Sequence, residues 1–303
     1  MTSALITTDK LSKFYGKHRG IVEVDLEVAE GEAFGFLGPN GAGKTTMIRT
    51  LLNHIRPTSG RATIFGIDTT ADPVAIHRRL GYLPGEFVLY DKLTGAQTIE
   101  YFAALRGGVD PLYQADLVAR LDIDLSRRFR EYSKGNKQKI GLVVALQHRP
   151  DLLLLDEPTS GLDPLVQQTF YDVIREAKAE GRTIFMSSHI LSEVEKTCDR
   201  VAIIRDGRLT KVDRVEALRD MAHHQVELRF AGAVPTAEFE ALPGVTDVVA
   251  TDHTLHMRVS GAITPIVHAA ARHEVVDFVS REPTLEETFL AEYGNQAVEG
   301  AAR

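Results

Sequence analysis

A glycine-rich segment at residues 38–46, with the sequence GPNGAGKTT, constrains the fold of this 303-residue chain more than any other feature. It fits the pattern G-x-x-x-x-G-K-[ST], follows a short apolar run at Ala33–Leu37 and precedes a helical pattern. Glycines let backbone N–H groups turn inward around phosphate oxygens, and a helix N-terminus adds a favourable field. The segment therefore predicts a strand, a phosphate-binding loop and a helix in succession.

The residues of this phosphate loop have distinct predicted tasks. Lys44 can reach the outer phosphates of a nucleotide, and the Thr45 hydroxyl can ligate Mg²⁺. The alternative is a glycine-rich turn with an exposed lysine. The predicted nucleotide contacts are Gly38, Pro39, Asn40, Gly41, Ala42, Gly43, Lys44, Thr45 and Thr46.

An acidic pair follows a leucine run in the sequence LLLLDEP at residues 152–158. A buried strand would hold Asp156 rigidly, which suits a partner of Mg²⁺, directly or through water. Glu157 could then polarise the water that attacks the γ-phosphate. Alone, such a pair is a common strand terminus, but together with the phosphate loop it predicts nucleotide hydrolysis.

Composition excludes several classes of protein. The chain has 35 basic and 42 acidic residues, a net charge of −7, which gives no electrostatic basis for binding nucleic acid. The single cysteine, Cys198, excludes an internal disulfide framework and a cysteine-based zinc site, and is expected to be a small buried hydrophobe.

Neither a secretion signal nor a membrane span is expected. Residues 1–10 lack a basic start followed by an apolar stretch. The most apolar stretch, Ile140–Leu155, is interrupted by the polar sequence HRPD at 148–151 and predicts two buried elements. Any membrane contact is therefore expected to be indirect.

Short apolar runs alternate with helical patterns in the first two-thirds of the chain, which predicts a largely parallel sheet wrapped by helices. Strands are expected at Ala33–Leu37, Leu152–Leu155, Thr183–Ser188 and Arg200–Ile204. A helix is expected at Leu165–Glu180, with Asp163 as its cap.

The pattern changes after about residue 220. Strands at Val226–Phe230, Val245–Ala250, Thr254–Val259 and Val275–Val279, with helices at Pro235–Leu242 and Ile263–His273, give the order βαββαβ. A last helix is expected at Thr284–Tyr293.

These motifs, in this order, resemble the ATP-binding subunits of ABC transporters over Leu5–Arg208. The resemblance implies an α/β fold of the P-loop NTPase type. Residues 1–220 would form the ABC cassette, with a helical subdomain at about 86–150. A small α+β accessory domain with its final helix would occupy residues 221–303. It also implies ATP and Mg²⁺ as ligands and a peripheral location on the cytoplasmic face of the membrane.

The resemblance further implies partners. Two copies, or this chain and a close relative, would sandwich two ATP molecules as a homodimer or heterodimer. A separate transmembrane permease would use the resulting motion for transport. The alternatives are a soluble ATPase of the same type without a transporter, and a nucleotide-gated regulatory or resistance module.

Further site residues follow from the same resemblance. Tyr15 would stack on adenine, with core packing as the alternative and Phe14 as a competitor. Ser133 and Gly135, in the signature segment (residues 132–136), would complete the site of the other subunit. Asp163 would communicate between the two sites, or simply cap its helix. His189 would contact the γ-phosphate as a catalytic residue beside Glu157 and Lys44.

Two positions depart from the common family pattern. Gly85 stands where the family usually has a glutamine that touches Mg²⁺, and the adjacent Glu86 is a candidate substitute as a metal ligand. Lys134 replaces a signature glycine, and either adds charge near a phosphate or points to solvent. Drug-export and antibiotic-resistance branches of the family, such as daunorubicin and bacitracin exporters, often have similar sequences around Gly85 and Lys134 and at residues 282–290.

Overall fold

The computed structural model describes residues 4–88, 91–220 and 224–281. The fold divides into two compact units, with the division between Asp213 and Arg214, seven residues before the boundary expected from the sequence (220 − 213). The strands of the first unit are β1 (Ala4–Tyr15), β2 (His18–Ala29), β3 (Ala33–Leu37), β4 (Ser59–Ile64), β5 (Ile67–Asp68), β6 (Leu80–Leu83), β7 (Leu152–Asp156), β8 (Thr183–Ser188), β9 (Arg200–Arg205) and β10 (Arg208–Arg214).

The helices of this unit cover the parallel sheet and connect its strands. They are α1 (Lys44–Leu51), α2 (Pro73–Arg78), α3 (Gly95–Leu105), α4 (Pro111–Arg120), α5 (Lys134–Leu146), α6 (Pro164–Ala179) and α7 (Leu191–Thr197), with a 3-10 turn at Phe129–Glu131. A further helix, α8 (Val215–Asp220), begins the second unit.

The expected parallel sheet is confirmed, with the strand order β10-β9-β3-β8-β7-β6. Neighbouring strands from β9 through β6 run parallel. Every residue of β3, β7 and β8 is buried, which explains why these strands are near-continuous apolar runs. Because the strands are parallel, the loops after β3, β6, β7 and β8 meet at one edge, where ligands bind in such sheets.

A second sheet, of order β2-β1-β4-β5, adds an antiparallel layer to the expected fold. These strands were not predicted from the sequence, because the alternation of apolar and polar residues along them is interrupted. The β1–β2 register shifts at several points, and Lys10 and Glu23 adopt positive φ of 45° and 48°. Each such irregularity moves the following side chains to the opposite face, which hides the period of two.

One apolar core joins this antiparallel sheet to helix α1 and to one face of the parallel sheet. Its members share almost complete burial and include Ile6, Leu11, Val24, Ile64, Phe34, Phe36, Met47, Ile48, Leu152, Leu154 and Phe185. Such a core fixes α1, and with it the phosphate loop, against β3.

The helix predicted at Leu165–Glu180 is confirmed as α6. Asp163 caps it by accepting hydrogen bonds from the N–H groups of Leu165 and Val166, both at 3.1 Å. Cys198 directly follows the end of α7; its thiol is buried as expected, and burial raises its pKa to about 12. The thiol is therefore neutral at physiological pH.

The second unit confirms the order βαββαβ. After α8 its elements are β11 (His224–Phe230), α9 (Thr236–Glu240), β12 (Val245–Thr251), β13 (Thr254–Val259), α10 (Thr264–Ala270) and β14 (Val275–Arg281). The strands form an antiparallel sheet of order β12-β13-β11-β14. Both helices are shorter than predicted because their last turns tighten to 3-10 hydrogen bonds, such as Leu242 N to Phe239 O.

This unit has an apolar cluster of its own, formed by Val226, Leu228, Phe230, Phe239, Leu255, Met257, Val259, Ile266, Ala269 and Ala270. The helix predicted at Thr284–Tyr293 lies outside the described residues. Within the described ranges, no helix combines the length and the apolarity needed to cross a membrane.

Candidate active site

The phosphate loop leaves β3 at Leu37 and enters α1 at Lys44. Gly41 and Gly43 adopt positive φ of 81° and 113°. A Cβ atom at Gly43 would lie 2.5 Å from the Gly20 carbonyl oxygen, and one at Gly38 would lie 2.3 Å from the Ile204 carbonyl oxygen. Glycine is therefore required at Gly38 for space, and at Gly43 for both space and conformation.

Lys44 folds back across the loop and is only 5% exposed. Its Nζ donates hydrogen bonds to the Gly38 carbonyl at 2.7 Å and the Pro39 carbonyl at 3.2 Å. The outer part of the loop is open, since Asn40 and Gly41 are exposed. The ammonium group is thus held by the loop that is predicted to receive the phosphates.

Thr45 and Asp156 meet as the sequence predicted for the metal residues. The Thr45 hydroxyl donates to Asp156 Oδ2 at 2.8 Å, and the Ser187 hydroxyl donates to Asp156 Oδ1 at 2.6 Å. Asp156 is 1% exposed, so β7 and β8 fix its carboxylate. A hydroxyl and a carboxylate oxygen this close fit Mg²⁺, which takes few protein ligands and completes its shell with phosphates and water.

In the part of the chain that the structure describes, no group of three or more His, Cys, Asp or Glu side chains could hold a metal ion.

Glu157 lies between two of the other predicted catalytic residues. Its Oε1 is 3.2 Å from Lys44 Nζ and 3.3 Å from His189 Nδ1. The backbone at Glu157 has a positive φ of 49°, and its N–H donates to the Ser187 carbonyl at 3.2 Å and hydroxyl at 3.1 Å. A non-glycine residue in this conformation is strained, and such strain concentrates at functional sites.

Tyr15 is 46% exposed and Phe14 is 38% exposed, so neither ring is packed in the core. A Cβ atom at Gly20 would lie 3.1 Å from Tyr15 Cε2 and 2.8 Å from Thr46 Cγ2. The Tyr15 ring therefore lies beside the first turn of α1, where an adenine stacked on it would be close to the phosphate loop. Lys13 Nζ lies 5.4 Å from the ring centroid.

Ser133 caps α5 as predicted, with its hydroxyl accepting a hydrogen bond from Asn136 N at 3.3 Å. Lys134 is exposed, as the second of the two expected alternatives has it, and it also has a partner within the chain. Its Nζ donates to the Ser160 hydroxyl at 2.8 Å, and its stem lies along Gly161. A Cβ atom at Gly135 would lie 2.3 Å from the Gly161 carbonyl oxygen. The signature segment is thus closely packed on residues 160–161 of its own chain.

Gly85 lies against the Asp156 carboxylate, because a Cβ atom there would be 3.4 Å from Oδ2. Glu86 is exposed, and no hydrogen bond or ion pair joins its carboxylate to another described residue. Burial and the nearby Asp156 charge raise the pKa of Tyr82 in the same segment. Its phenol therefore stays protonated beside Asp156.

Two polar residues at the site were missed by the sequence analysis. Gln138 is 2% exposed on α5, and its Nε2 donates to the carbonyls of Pro158 at 3.1 Å and Glu157 at 3.3 Å. Ser187 orients both Asp156 and Glu157, as described above. The sequence did offer a signal for both residues. Gln138 is an amide near the apolar side of a helix, and Ser187 is a hydroxyl at the end of an apolar strand, and buried polar groups of this kind need hydrogen-bond partners.

Comparison with known proteins agrees with this geometry. A family model described as ABC transporter matches residues 21–160. The daunorubicin resistance ATP-binding protein DrrA3 of Streptomyces coeruleorubidus is 34% identical, with 96% of each chain covered. The bacitracin transport ATP-binding protein BcrA of Enterococcus faecalis is 32% identical, with 84% of this chain and 83% of BcrA covered.

A solved structure of an ATP-binding subunit of an ABC transporter is 31% identical and superimposes with a TM-score of 0.65, covering 71% of this chain and 92% of that chain. The structural match therefore covers 71% of this chain, and the sequence match with DrrA3 covers 96% of it.

Proposed function

The chain belongs to the ATP-binding, ATP-hydrolysing subunits of ABC transporters, and on that premise we propose that it energises an exporter of drugs, antibiotics or other lipophilic compounds. Members of this family form dimers and work with transmembrane subunits. The chain would pair with a second copy or a close relative and dock, at the cytoplasmic face of the membrane, on a separate permease. Its similarity to proteins named for daunorubicin resistance and bacitracin transport supports the class of cargo.

The observation that carries the catalytic part is the convergence of Lys44, Glu157 and His189 at one edge of the parallel sheet. The Lys44 ammonium, now bound by two loop carbonyls and by Glu157, would turn to the outer phosphates of ATP. Bound Mg²⁺, held by Thr45 and Asp156, would neutralise phosphate charge. Tyr15 would stack on the adenine.

Glu157 would then accept the proton of the water that attacks the γ-phosphorus. The bond from that phosphorus to the bridging oxygen breaks, and ADP leaves with the electron pair. His189, at 3.3 Å from Glu157 Oε1, would hold the carboxylate and contact the γ-phosphate. The buried Asp156 and the strained backbone at Glu157 keep these groups in place before ATP binds.

The remaining groups around the γ-phosphate would come from a second subunit. Ser133 is exposed at the start of α5, and a helix N-terminus capped in this way is a good anion site. Ser133 and Gly135 would face the γ-phosphate bound by the partner, and Asp163 would link the two sites. This arrangement makes hydrolysis a property of the dimer.

The first prediction tests the water-activating role. Glu157→Gln is expected to lower kcat for ATP by about 10²-fold or more while leaving ATP binding intact, because the amide cannot accept the proton. Steady-state phosphate release and binding of a fluorescent ATP analogue measure the two effects. Glu100→Gln, on the exposed side of α3, is the matched control and should behave as the unaltered chain.

Three results would contradict this proposal. ATP turnover that survives in Glu157→Gln would remove the assigned base. Absence of turnover in the intact complex would favour a nucleotide-gated regulatory module. Co-purification with a permease, and reduced accumulation of a fluorescent drug that depends on Lys44, would support export; a chain that binds no membrane protein would contradict it.

A further inference from the structure

Glu193, on α7, is a buried carboxylate to which the roles proposed above assign nothing. It is 3% exposed, and each of its oxygens accepts a hydrogen bond from a hydroxyl group. The Thr159 hydroxyl donates to Oε1, and the Ser188 hydroxyl donates to Oε2 at 2.6 Å. Within the described part of the chain, no Lys, Arg or His side chain forms an ion pair with it. A buried carboxylate without such a partner is costly, so the two hydroxyl donors are what make it tolerable.

The two hydroxyl groups lie close along the chain to Glu157 and His189, with Thr159 in the loop after β7 and Ser188 at the end of β8. Ser188 immediately precedes His189, and its Oγ also accepts a hydrogen bond from Ile190 N at 2.9 Å. The serine therefore holds the backbone on both sides of the histidine. Its bond to Glu193 ties this turn to α7.

Thr159 stands two residues after Glu157, in a tight turn closed by a hydrogen bond from Ser160 N to the Glu157 carbonyl at 3.1 Å. The same turn continues with Leu162 N donating to the Thr159 carbonyl at 3.0 Å. The Thr159 hydroxyl is thus fixed to the segment that leads out of Glu157 and into residues 160–163.

These contacts form a closed ring. On one side, His189 Nδ1 meets Glu157 Oε1 at 3.3 Å. On the other side, the Glu193 carboxylate joins the backbone segments of the same two residues through Ser188 and Thr159. A loop held at two points cannot shift without breaking one of them, so the second contact constrains the first.

We propose that Glu193 is a positioning residue for ATP hydrolysis, which holds the Glu157 loop and the His189 turn at a fixed separation through Thr159 and Ser188. The proposal rests on the roles proposed above for Glu157 and His189. The described bonds of the Glu193 carboxylate go to the Thr159 and Ser188 hydroxyl groups, and not to Thr45 or Asp156. Its contribution is the geometry in which His189 meets Glu157.

The test compares Glu193→Gln with the unaltered full-length chain. The amide keeps the size of the side chain but can accept from only one of the two hydroxyl groups. A positioning role predicts a fall in kcat of roughly tenfold with KM for ATP changed by less than about twofold, since only transition-state geometry is disturbed. A rise in KM with unchanged kcat would overturn it.

A pair of variants at Thr159 tests the same contact without altering Glu193. Thr159→Val removes the hydroxyl at nearly constant size, whereas Thr159→Ser keeps it. Thr159→Val should lower kcat as Glu193→Gln does, and Thr159→Ser should retain kcat within about twofold. Equal activity of the two variants would overturn the proposal, even if Glu193→Gln folds poorly.

A double-variant cycle separates positioning from general support of the fold. If Glu193 acts through His189, Glu193→Gln should cause no further loss of kcat once His189→Ala is present. A full additional loss would overturn the positioning role.

The two proposals fail in different ways. Loss of kcat in His189→Ala together with full kcat in Glu193→Gln would overturn only the role of Glu193. Full kcat in His189→Ala would overturn the proposed role of the histidine, and with it the positioning role.

Discussion

Gly85 has no side chain and lies against Asp156, one of the residues proposed to bind the metal. A Cβ atom there would make ordinary contact with the Asp156 carboxylate, at 3.4 Å from Oδ2. A Cβ atom at this position would therefore fit beside Asp156. The neighbouring Glu86 is exposed.

The second prediction follows from that space. If Glu86 substitutes for the usual glutamine, Glu86→Ala should lower the ATPase kcat by about tenfold, and adding Gly85→Gln should restore it. Glu100→Ala is the matched exposed control. Unchanged ATPase activity and unchanged coupled transport in Glu86→Ala would contradict the substitution.

At the scale of elements, α5 is attached to the loop that follows β7 at three points. Lys134 reaches Ser160, Gly135 packs on Gly161, and Gln138 binds two carbonyls beyond Asp156. If the start of α5 acts on the ATP of the partner subunit, these contacts connect that ATP to Glu157 of the first site. Motion of one site would then be transmitted through a helix to the other.

The third prediction tests this attachment. Gly135→Ala places a Cβ atom 2.3 Å from a backbone oxygen, so the start of α5 must move away from Gly161. We expect a lower unfolding temperature, a destabilisation of roughly 1–3 kcal/mol, and reduced ATPase activity of the dimer. Gly232→Ala, which meets open space, is the control and should change neither. Equal behaviour of the two variants would contradict the close packing.

The junction of α5 with β6 gives a fourth prediction, on pH. Burial, with the positive charge of Arg106 as the second cause, lowers the pKa of His148 from 6.5 to about 4. As pH falls below 6.5, the unfolded chain takes up a proton at this side chain and the folded chain does not. Stability is therefore lost between pH 6.5 and 4, by up to about 1.4 kcal/mol per pH unit.

His148→Gln removes that titration and keeps a donor for the Leu80 carbonyl, which His148 contacts at 3.2 Å. Urea unfolding at pH 7 and pH 5 should show a smaller loss of stability in this variant than in the unaltered chain. An identical pH dependence of the two proteins would contradict the interpretation.

For the molecule as a whole, the sequence predicts what is contiguous along the chain. The helix that begins at Lys44, the strand that ends at Asp156, the other strands of the parallel sheet and the βαββαβ order each depend on a local pattern, and the structure agrees with each. Contacts between distant segments could not be predicted in this way.

Glu193 illustrates the limit. It stands next to Val194, Glu195 and Lys196, a stretch typical of an exposed helix, and only the fold shows that its carboxylate is buried between two loops. Lys134 is exposed, as one of its two expected alternatives has it, but its bond to Ser160, 26 residues away, could not be predicted from the sequence.

The fifth prediction concerns the two units. The second unit has its own apolar cluster, and the first is long enough to fold alone. A chain ending at residue 220 should therefore fold and bind ATP with an affinity within about threefold of the full chain. Thermal unfolding and binding of a fluorescent ATP analogue measure this. Aggregation, or loss of ATP binding, would show that residues 221–303 belong to the cassette.

The burial of Cys198 has a practical consequence for following the working cycle. Because its thiol is buried and stays neutral, Cys198 should not react with thiol-directed dyes or spin labels in the folded chain. A cysteine introduced at an exposed position such as Leu165 or Leu112 could then be labelled alone, and distances between labels on two chains would report closure during turnover.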